Sequence, residues 1–423
     1  MDNLLIEGPV ALRGTVAASG AKNAALPALA ATLLTDDHVE LTRVPDVRDI
    51  RTLCRLLEHL GLSCGQSGAG RVDVERAGEF TSPHDAPYEV VKTMRAGILV
   101  LGPVLARRGV ATVALPGGCA IGHRPIDEHL KGMEALGAKV RLEGGYVTAE
   151  GRLTGARYRF GVATVTGTEN VMMAAALAKG TTVLENCAQE AEITDLADLL
   201  NAMGAKISGA GTPTIEIVGV ESLHGARHEV IPDRIEAGSY LIGGVMTAGD
   251  VTVEGARYAD LATLAEKLEE AGATVEETAG GMRAAGGGDL RPVLVETAPH
   301  PGFPTDLQAQ MMALATQAVG ISTIREYVFE NRFQHVPELN RMGADIRVRN
   351  RTAKVRGRAK LTGAHVMATD LRASASLVLA GLVAHGTTTV DRIYHLDRGY
   401  EAMESKLQSL GARVERVSVP DVD

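Results

Sequence analysis

A glycine that ends an amphipathic segment recurs six times along this chain, and its spacing restricts the fold more than any other feature. The sites read Leu60-Gly61-Leu62, Leu136-Gly137-Ala138, Met203-Gly204-Ala205, Ala271-Gly272-Ala273, Met342-Gly343-Ala344 and Leu410-Gly411-Ala412. The glycines lie 76, 67, 68, 71 and 68 residues apart in a chain of 423. A glycine just past a helix adopts the left-handed conformation that stops it. A nearly constant period over the whole length marks internal duplication. The chain is therefore read as six copies of one unit.

A second landmark precedes each glycine. Alternating strands are predicted at His38–Thr42, Val110–Ala114, Thr181–Glu185, Asp250–Glu254, Ile321–Arg325 and Thr387–Asp391. A glycine opens five of them (Gly109, Gly180, Gly249, Gly320, Gly386) and Asp37 takes that place in the first. Before the strands lie helices of small apolar residues, such as Ala24–Leu34, Val171–Lys179, Leu307–Val319 and Ala373–His385. These helices are apolar nearly all round, which implies burial at a shared centre. Each copy is thus a β/α unit of about 70 residues, and the fold class is α/β. Six units divide into two lobes of three, predicted at residues 22–232 and at 1–21 plus 233–423. The opening strand, Asn3–Leu12, is expected to complete the last unit. The chain then crosses between lobes twice, near Ala21 and Pro232, an arrangement suited to hinge closure on a ligand.

The composition narrows the function. A net charge of −9 argues against a partner held by phosphate neutralisation, so no nucleic acid is expected. The cysteines Cys54, Cys64, Cys119 and Cys187 have neither metal-type nor CxxC spacing, so no metal and no disulfide framework are expected. The longest apolar candidate, Ala96–Ala106, is cut by Gly102 and Pro103, and no signal peptide precedes it. A cytoplasmic protein without a membrane partner is expected.

Charged residues fall at repeated places. Fourteen or fifteen residues before each strand-opening landmark stand Lys22, Arg95, Arg234, Asp306 and Arg372, with Thr166 in the third copy and Glu169 just beyond it. Eight residues after the last apolar strand positions Ile324 and Val390 stand Arg332 and Arg398. In the second copy the same loop reaches Arg124 only after eleven residues, and Gly117, Gly118 and Cys119 lie within the insertion. These are predicted helix starts, or the loops leading into them, where unpaired N–H groups attract anions. A cation there opposes the helix dipole, and a bound anion resolves the conflict. A ligand, or a pair of ligands, with several negative charges is expected in one cleft. Asp306 is the single carboxylate of the set: a helix cap, an ion-pair partner or a general base. Cys119 is a packing thiol or a reactive one biased by Arg124. The HxxxH of His224 and His228 is followed by a β-like run, so no zinc helix is expected. His129 is assigned to the helix Ile126–Ala135, and Ser208–Gly211 to a turn.

Read as motifs, these residues resemble a known family. Gly20-Ala21-Lys22-Asn23-Ala24, Pro116-Gly117-Gly118-Cys119-Ala120-Ile121-Gly122 with Arg124-Pro125, Pro304-Thr305-Asp306-Leu307-Gln308, Glu330-Asn331-Arg332-Phe333, Thr369-Asp370-Leu371-Arg372 and Asp397-Arg398-Gly399-Tyr400 resemble those of the UDP-N-acetylglucosamine enolpyruvyl transferases of peptidoglycan synthesis. The likeness runs in order along essentially the whole chain. It implies two lobes of three βαβαββ units, an inside-out α/β barrel. It also implies transfer of the enolpyruvyl group of phosphoenolpyruvate to the 3′-hydroxyl of UDP-N-acetylglucosamine by addition and elimination, without a cofactor. By the same likeness Cys119 gives a proton to the methylene carbon and can be modified covalently, including by fosfomycin. Asp306 acts as base on the sugar hydroxyl. Lys22, itself a catalytic residue by this likeness, holds phosphoenolpyruvate with Asn23, Arg124 and Arg398, and Arg332 and Arg372 add to the anion site. Arg95, Arg124, Pro125, Ile126, Asp127, Glu128, Thr164, Val165, Asp306 and Val328 match nucleotide-sugar positions.

Two departures stand out: the Val162–Asn170 run differs from a Ser-Val-Gly-Ala-Thr version of the family, and His123 replaces a small residue. The alternatives are a shikimate-directed enolpyruvyl transferase, which lacks such a cysteine loop, and a catalytically silent nucleotide-sugar sensor.

Overall fold

Segments rich in Ala, Leu, Gly and Met form two separate buried cores, three segments in each. The computed structural model describes residues 2–68, 70–77, 85–92, 94–115 and 126–418. These form two compact units, one of residues 2–19 and 232–418, the other of 20–115 and 126–231. In the first unit the helices Arg234–Met246, Gln308–Ala315 and Leu371–Val383 pack on one another. In the second the same place is taken by Lys22–Ala31, Val165–Ala175 and the pair Arg95–Val100 and Leu101–Arg108. Every residue of Gln308–Ala315 is buried, and in Lys22–Ala31 only Asn23 is not. Small side chains permit this close approach. At Gly102, whose N–H donates to Asn170 Oδ1 at 2.7 Å, a Cβ would stand 2.3 Å from the Asn170 carbonyl oxygen.

Outside each helix lies a four-stranded sheet, and six such sheets occur among the described residues. In the third copy Arg157–Arg159 runs parallel to Thr181–Glu185, which pairs antiparallel with Thr214–Val218 and through it with Lys206–Ser208. The order is strand, buried helix, strand, amphipathic helix and two strands, a βαβαββ unit, and the same arrangement recurs in all six. The strands alternate as expected, with Thr181–Glu185 burying Thr182 and Leu184. The six helix-ending glycines have φ between 86° and 102°. In five copies the following Ala N–H reaches back five residues while the glycine N–H closes the inner turn, as in Ala205 to Leu200 and Gly204 to Asn201. That double bond satisfies carbonyls the helix end leaves open.

Two expectations are corrected. The opening strand covers Asp2–Gly8 and stops there, because Pro9 has no N–H for the ladder. It pairs with both Gly386–Asp391 and Arg413–Ser418 and so completes the sixth sheet. The chain then starts a separate strand, Arg13–Ala17, beside Asp250–Glu254 of the fourth copy. The first copy takes its leading strand from Arg227–Glu229, near the end of its unit. Arg95 opens a six-residue 3-10 helix rather than the α-helix, which begins at Leu101. No helix of the described residues is long and apolar enough to cross a membrane.

Candidate active site

In the unit of residues 2–19 and 232–418, Asp306 stands in a 3-10 turn, Thr305–Leu307, that leads into the buried helix Gln308–Ala315. Its carboxylate caps no helix N–H, so the capping reading falls. Two arginines hold it. Arg372 Nε and Nη2 both donate to Oδ2, at 3.1 and 2.9 Å. Arg332 Nη2 lies 2.7 Å from Oδ1. The guanidinium groups are almost wholly buried, with side chains 3% and 5% exposed, whereas that of Asp306 is 26% exposed. Burial raises the Asp306 pKa and the two cations lower it. The cations win, holding the carboxyl well below the usual range.

The supports of this triad lie far apart in sequence. Asp370 caps the helix Leu371–Val383 by accepting from the N–H groups of Arg372 and Ala373 at 2.8 and 3.0 Å. That fixes the backbone from which Arg372 reaches Asp306. Arg372 also lies over the Tyr400 ring, 5.4 Å from its centroid. The Tyr400 hydroxyl meets Ser239 Oγ at 2.8 Å and accepts from Gln310 Nε2 at 3.0 Å, and the same amide donates to the Asp306 carbonyl at 3.0 Å. Arg332 Nη1 donates to Thr305 Oγ1 at 2.9 Å, and that hydroxyl donates to Glu326 Oε2 at 2.8 Å. Glu326 Oε1 in turn accepts from the N–H groups of Val328 and Phe329, at 2.8 and 3.0 Å. Glu326 is fully buried and carries the loop of Val328, yet it occupies no repeated place in the sequence, so the repeat count passed over it. Arg398 ends the 3-10 helix Ile393–Arg398 and is half-buried, beside Asp397, which pairs with Arg416 at 2.7 Å.

In the unit of residues 20–115 and 126–231, Lys22 is the first residue of its helix and is buried, with Nζ 3.4 Å from Asp49 Oδ2. Asp49, on the amphipathic helix Arg48–His59, is itself buried and was not foreseen. Asn23 follows, half-buried. Ile126 precedes the helix Asp127–Ala135, with Asp127 exposed in its first turn. Glu128 accepts from Tyr158 Oη at 2.9 Å and from the Gly161 N–H at 2.7 Å. It therefore anchors the loop that leads into Val162–Val165. Thr164 caps the helix Val165–Ala175 by accepting from the Gly167 N–H at 3.3 Å. His129 lies on the expected helix, buried, with one ring nitrogen 3.0 Å from Asn170 Nδ2 and the other 3.3 Å from Thr166 Oγ1. Glu169 is fully buried among Glu192, Glu190 and Asp195, so its carboxyl is pushed well above the usual range. His228 lies in the strand Arg227–Glu229, 3.0 Å from Asp195 Oδ1, in line with the reading that excluded a zinc helix.

Cys119, Arg124 and Pro125, with His123, lie outside the described residues. Cys54 and Cys187 are buried and Cys64 is half-buried, as packing thiols are.

Comparison with known proteins adds a family. The model of the EPSP synthase family (3-phosphoshikimate 1-carboxyvinyltransferase) matches residues 6–407. The UDP-N-acetylglucosamine 1-carboxyvinyltransferase of Anaeromyxobacter sp. (strain K) is 58% identical over 420 residues, covering 99% of this chain and 100% of that protein. The protein of the same name from Sphingopyxis alaskensis is 56% identical over 426 residues, with 99% and 100% covered. Among solved structures, the enolpyruvyl transferase NikO from Streptomyces tendae superposes with a TM-score of 0.88 at 28% identity, covering 99% of both chains. The EPSP synthase of Acinetobacter baumannii superposes at 0.76 with 18% identity, covering 99% of this chain and 100% of that one, a likeness of fold. A family model matched along nearly the whole length, and full-length relatives more than half identical, give one conclusion: the chain belongs to the EPSP synthase family of enolpyruvyl (1-carboxyvinyl) transferases.

Proposed function

We propose that the chain transfers the enolpyruvyl group of phosphoenolpyruvate to the 3′-hydroxyl of UDP-N-acetylglucosamine and releases phosphate, in the cytoplasm, as a step in peptidoglycan precursor synthesis. The observation that carries this reading is the full-length identity of 56–58% to relatives of that name. The cationic residues at helix starts support it, since both substrates are polyanions.

Cys119 delivers a proton to the methylene carbon as the sugar oxygen adds to the neighbouring carbon, giving a tetrahedral intermediate. Loss of phosphate and of a methyl proton then restores the double bond. Lys22, Asn23, Arg124 and Arg398 hold phosphoenolpyruvate, while Arg95, the run Arg124–Glu128, Thr164, Val165 and Val328 serve the nucleotide sugar. Asp306 removes the proton from the sugar hydroxyl. Clasped by Arg332 and Arg372 it is a poor base, because both cations stabilise its charged form. An arriving phosphate or carboxylate competes for the same guanidinium groups, which suit such anions. As they loosen from Asp306 its basicity rises, so substrate charge itself prepares the base. Fosfomycin, acting on the same thiol, is expected to modify Cys119.

Phosphate release with phosphoenolpyruvate and each acceptor in turn tests the proposal. Release with UDP-N-acetylglucosamine is expected. Release with shikimate 3-phosphate alone would move the chain to the other branch of its family.

A further inference from the structure

The fifth copy carries a charge distribution that the others do not. Between Arg341 and Lys360 the sequence holds eight cations and one acid, Asp345, in a chain of net charge −9. The segment includes the hairpin Asp345–Arg349 and Thr352–Gly357, whose sheet continues through Gly320–Arg325 to the edge strand Leu294–Glu296. Its inner face is the core side, with Ser322, Ile324, Ile346, Ala353 and Val355 buried.

The outer face is a grid fixed by the register. One row runs Asp345, Arg356, Ile321. The next runs Arg347, Lys354, Thr323, Leu294, and the third Arg349, Thr352, Arg325, Glu296. Five cations thus stand among two acids. Neighbouring strands lie about 4.8 Å apart, and side chains on one face of a strand about 7 Å apart. Asp345 is shared by Arg347 at 3.4 Å and Arg356 at 3.2 Å, and Glu296 pairs with Arg325 at 2.7 Å. Among the described residues Arg349 and Lys354 have no carboxylate within ion-pair distance, and the Arg347 side chain is 84% exposed. Arg347 stands directly opposite Lys354, a like-charge pair that weakens a sheet.

The fold does not ask for these charges. The matching hairpin of the fourth copy, Thr274–Thr278 and Gly281–Ala285, carries Glu276 and Glu277 with Arg283. That of the third, Lys206–Ser208 and Thr214–Val218, carries Lys206 and Glu216. A local conflict without a structural need points to a partner. The partner must be a polyanion, because an array rich in Arg suits phosphate. Aliphatic groups are set into the array: Ile321 is 48% and Leu294 43% exposed, and Val319, just before the strand, is 50% exposed. The grid holds no aromatic residue on which a base could stack, as single-stranded nucleic acid requires.

We propose that this sheet face is a peripheral docking surface for an anionic phospholipid bilayer, with the cations on the headgroups and Ile321 and Leu294 entering the interface. The net charge of −9 conceals a local patch of opposite sign, and the absence of a long apolar run, from which no membrane partner was expected, does not bear on peripheral binding. At low salt each cation near such a surface strengthens binding about fivefold, and salt screens the effect.

Sedimentation of the full chain with phosphatidylcholine vesicles, with and without phosphatidylglycerol, tests it. Binding is expected only with phosphatidylglycerol and is expected to fall as salt rises. Replacing Arg347, Arg349, Lys354 and Arg356 by Gln should lower it by about a hundredfold or more, with phosphate-release activity retained. The pair Ile321→Asn and Leu294→Asn, which leaves charge unchanged, should lower vesicle binding several-fold. Equal sedimentation with both vesicle types overturns the proposal. So does unchanged binding by the four-Gln variant, or stronger binding to polyuridylic acid that ignores the Ile321 and Leu294 changes.

Discussion

Arg372 grips a single oxygen of Asp306 with two nitrogens, Nε at 3.1 Å and Nη2 at 2.9 Å, from a guanidinium that is almost wholly buried. A carboxylate held in this way is charged at any ordinary pH and reluctant to accept a proton. The pair is at once structural and, on the proposed reaction, an adjustable brake on the base.

Replacing Asp306 by Asn separates the two roles. Removing a general base is expected to lower turnover by about 10²–10⁴-fold. Leaving two buried arginines without their carboxylate is expected to lower stability by about 3 kcal/mol. Arg372→Lys keeps a charge but loses the two-nitrogen grip. Its pH–rate profile should show the acidic limb moved upward, because a weaker cation contact lets the Asp306 pKa rise. An acidic limb that stays in place would remove Asp306 as the titrating base.

Glu236 gives a pH signature of stability. It is buried, and its carboxylate accepts from Lys406 at 2.7 Å and from the Ser19 N–H at 2.6 Å. Burial outweighs these contacts and pushes its pKa up to about 7, against an ordinary value of 4.5. Between those values the native state keeps a proton that the unfolded chain releases, so this contribution is lost as pH rises from 4.5 to 7. The loss is of the order of 3 kcal/mol at most. Urea unfolding of Glu236→Gln from pH 5 to 8 should show a flatter fall than that of the parent chain.

His335 acts in the opposite sense. Burial holds its pKa down to about 4, against 6.5, with Asp370 opposing the fall and Arg332 adding to it. The unfolded chain binds a proton between these values and the native chain does not. This contribution is therefore complete above pH 6.5 and is lost as pH falls toward 4. Unfolding of His335→Gln between pH 4 and 7 should show a smaller acid loss.

Gly411 isolates backbone strain from crowding. Its φ is 93°, and a Cβ built there meets nothing within 4 Å. Gly411→Ala is therefore expected to cost about 1–2 kcal/mol from conformation alone. Thermal unfolding should detect the loss while phosphate release at room temperature stays unchanged.

Cys119 carries the clearest chemical test. Intact-protein mass after exposure to fosfomycin should rise by one adduct in the parent chain and not at all in Cys119→Asp. Cys119→Ser should slow proton exchange at the methylene carbon of phosphoenolpyruvate. Unaltered exchange and turnover in that variant would exclude the thiol as the acid.

Much of this architecture was legible in the residues. The glycines from Gly61 to Gly411 mark helix ends because only a residue without a Cβ readily takes positive φ, a rule that needs no tertiary partner. The strands Val110–Ala114, Thr181–Glu185 and Asp250–Glu254 fall where alternation put them. Repetition singled out Lys22, Asp306, Arg332 and Arg372 as unusual charges. It missed Asp49, Glu326, Gln310 and Tyr400, each of which supports a charge from outside the repeated positions. It also misread the extent of the opening strand, where Pro9 decided.

What the sequence alone determined was therefore the unit, its number and its local punctuation, since helix period, strand alternation and glycine conformation act between near neighbours. Tertiary structure decided which charges meet. Asp306 and Arg372 are 66 residues apart, and the strand Asp2–Gly8 finds partners near the far end of the chain. Such pairs form because a buried charge needs a counter-charge and a strand edge needs a neighbour, and only the folded chain brings those groups together.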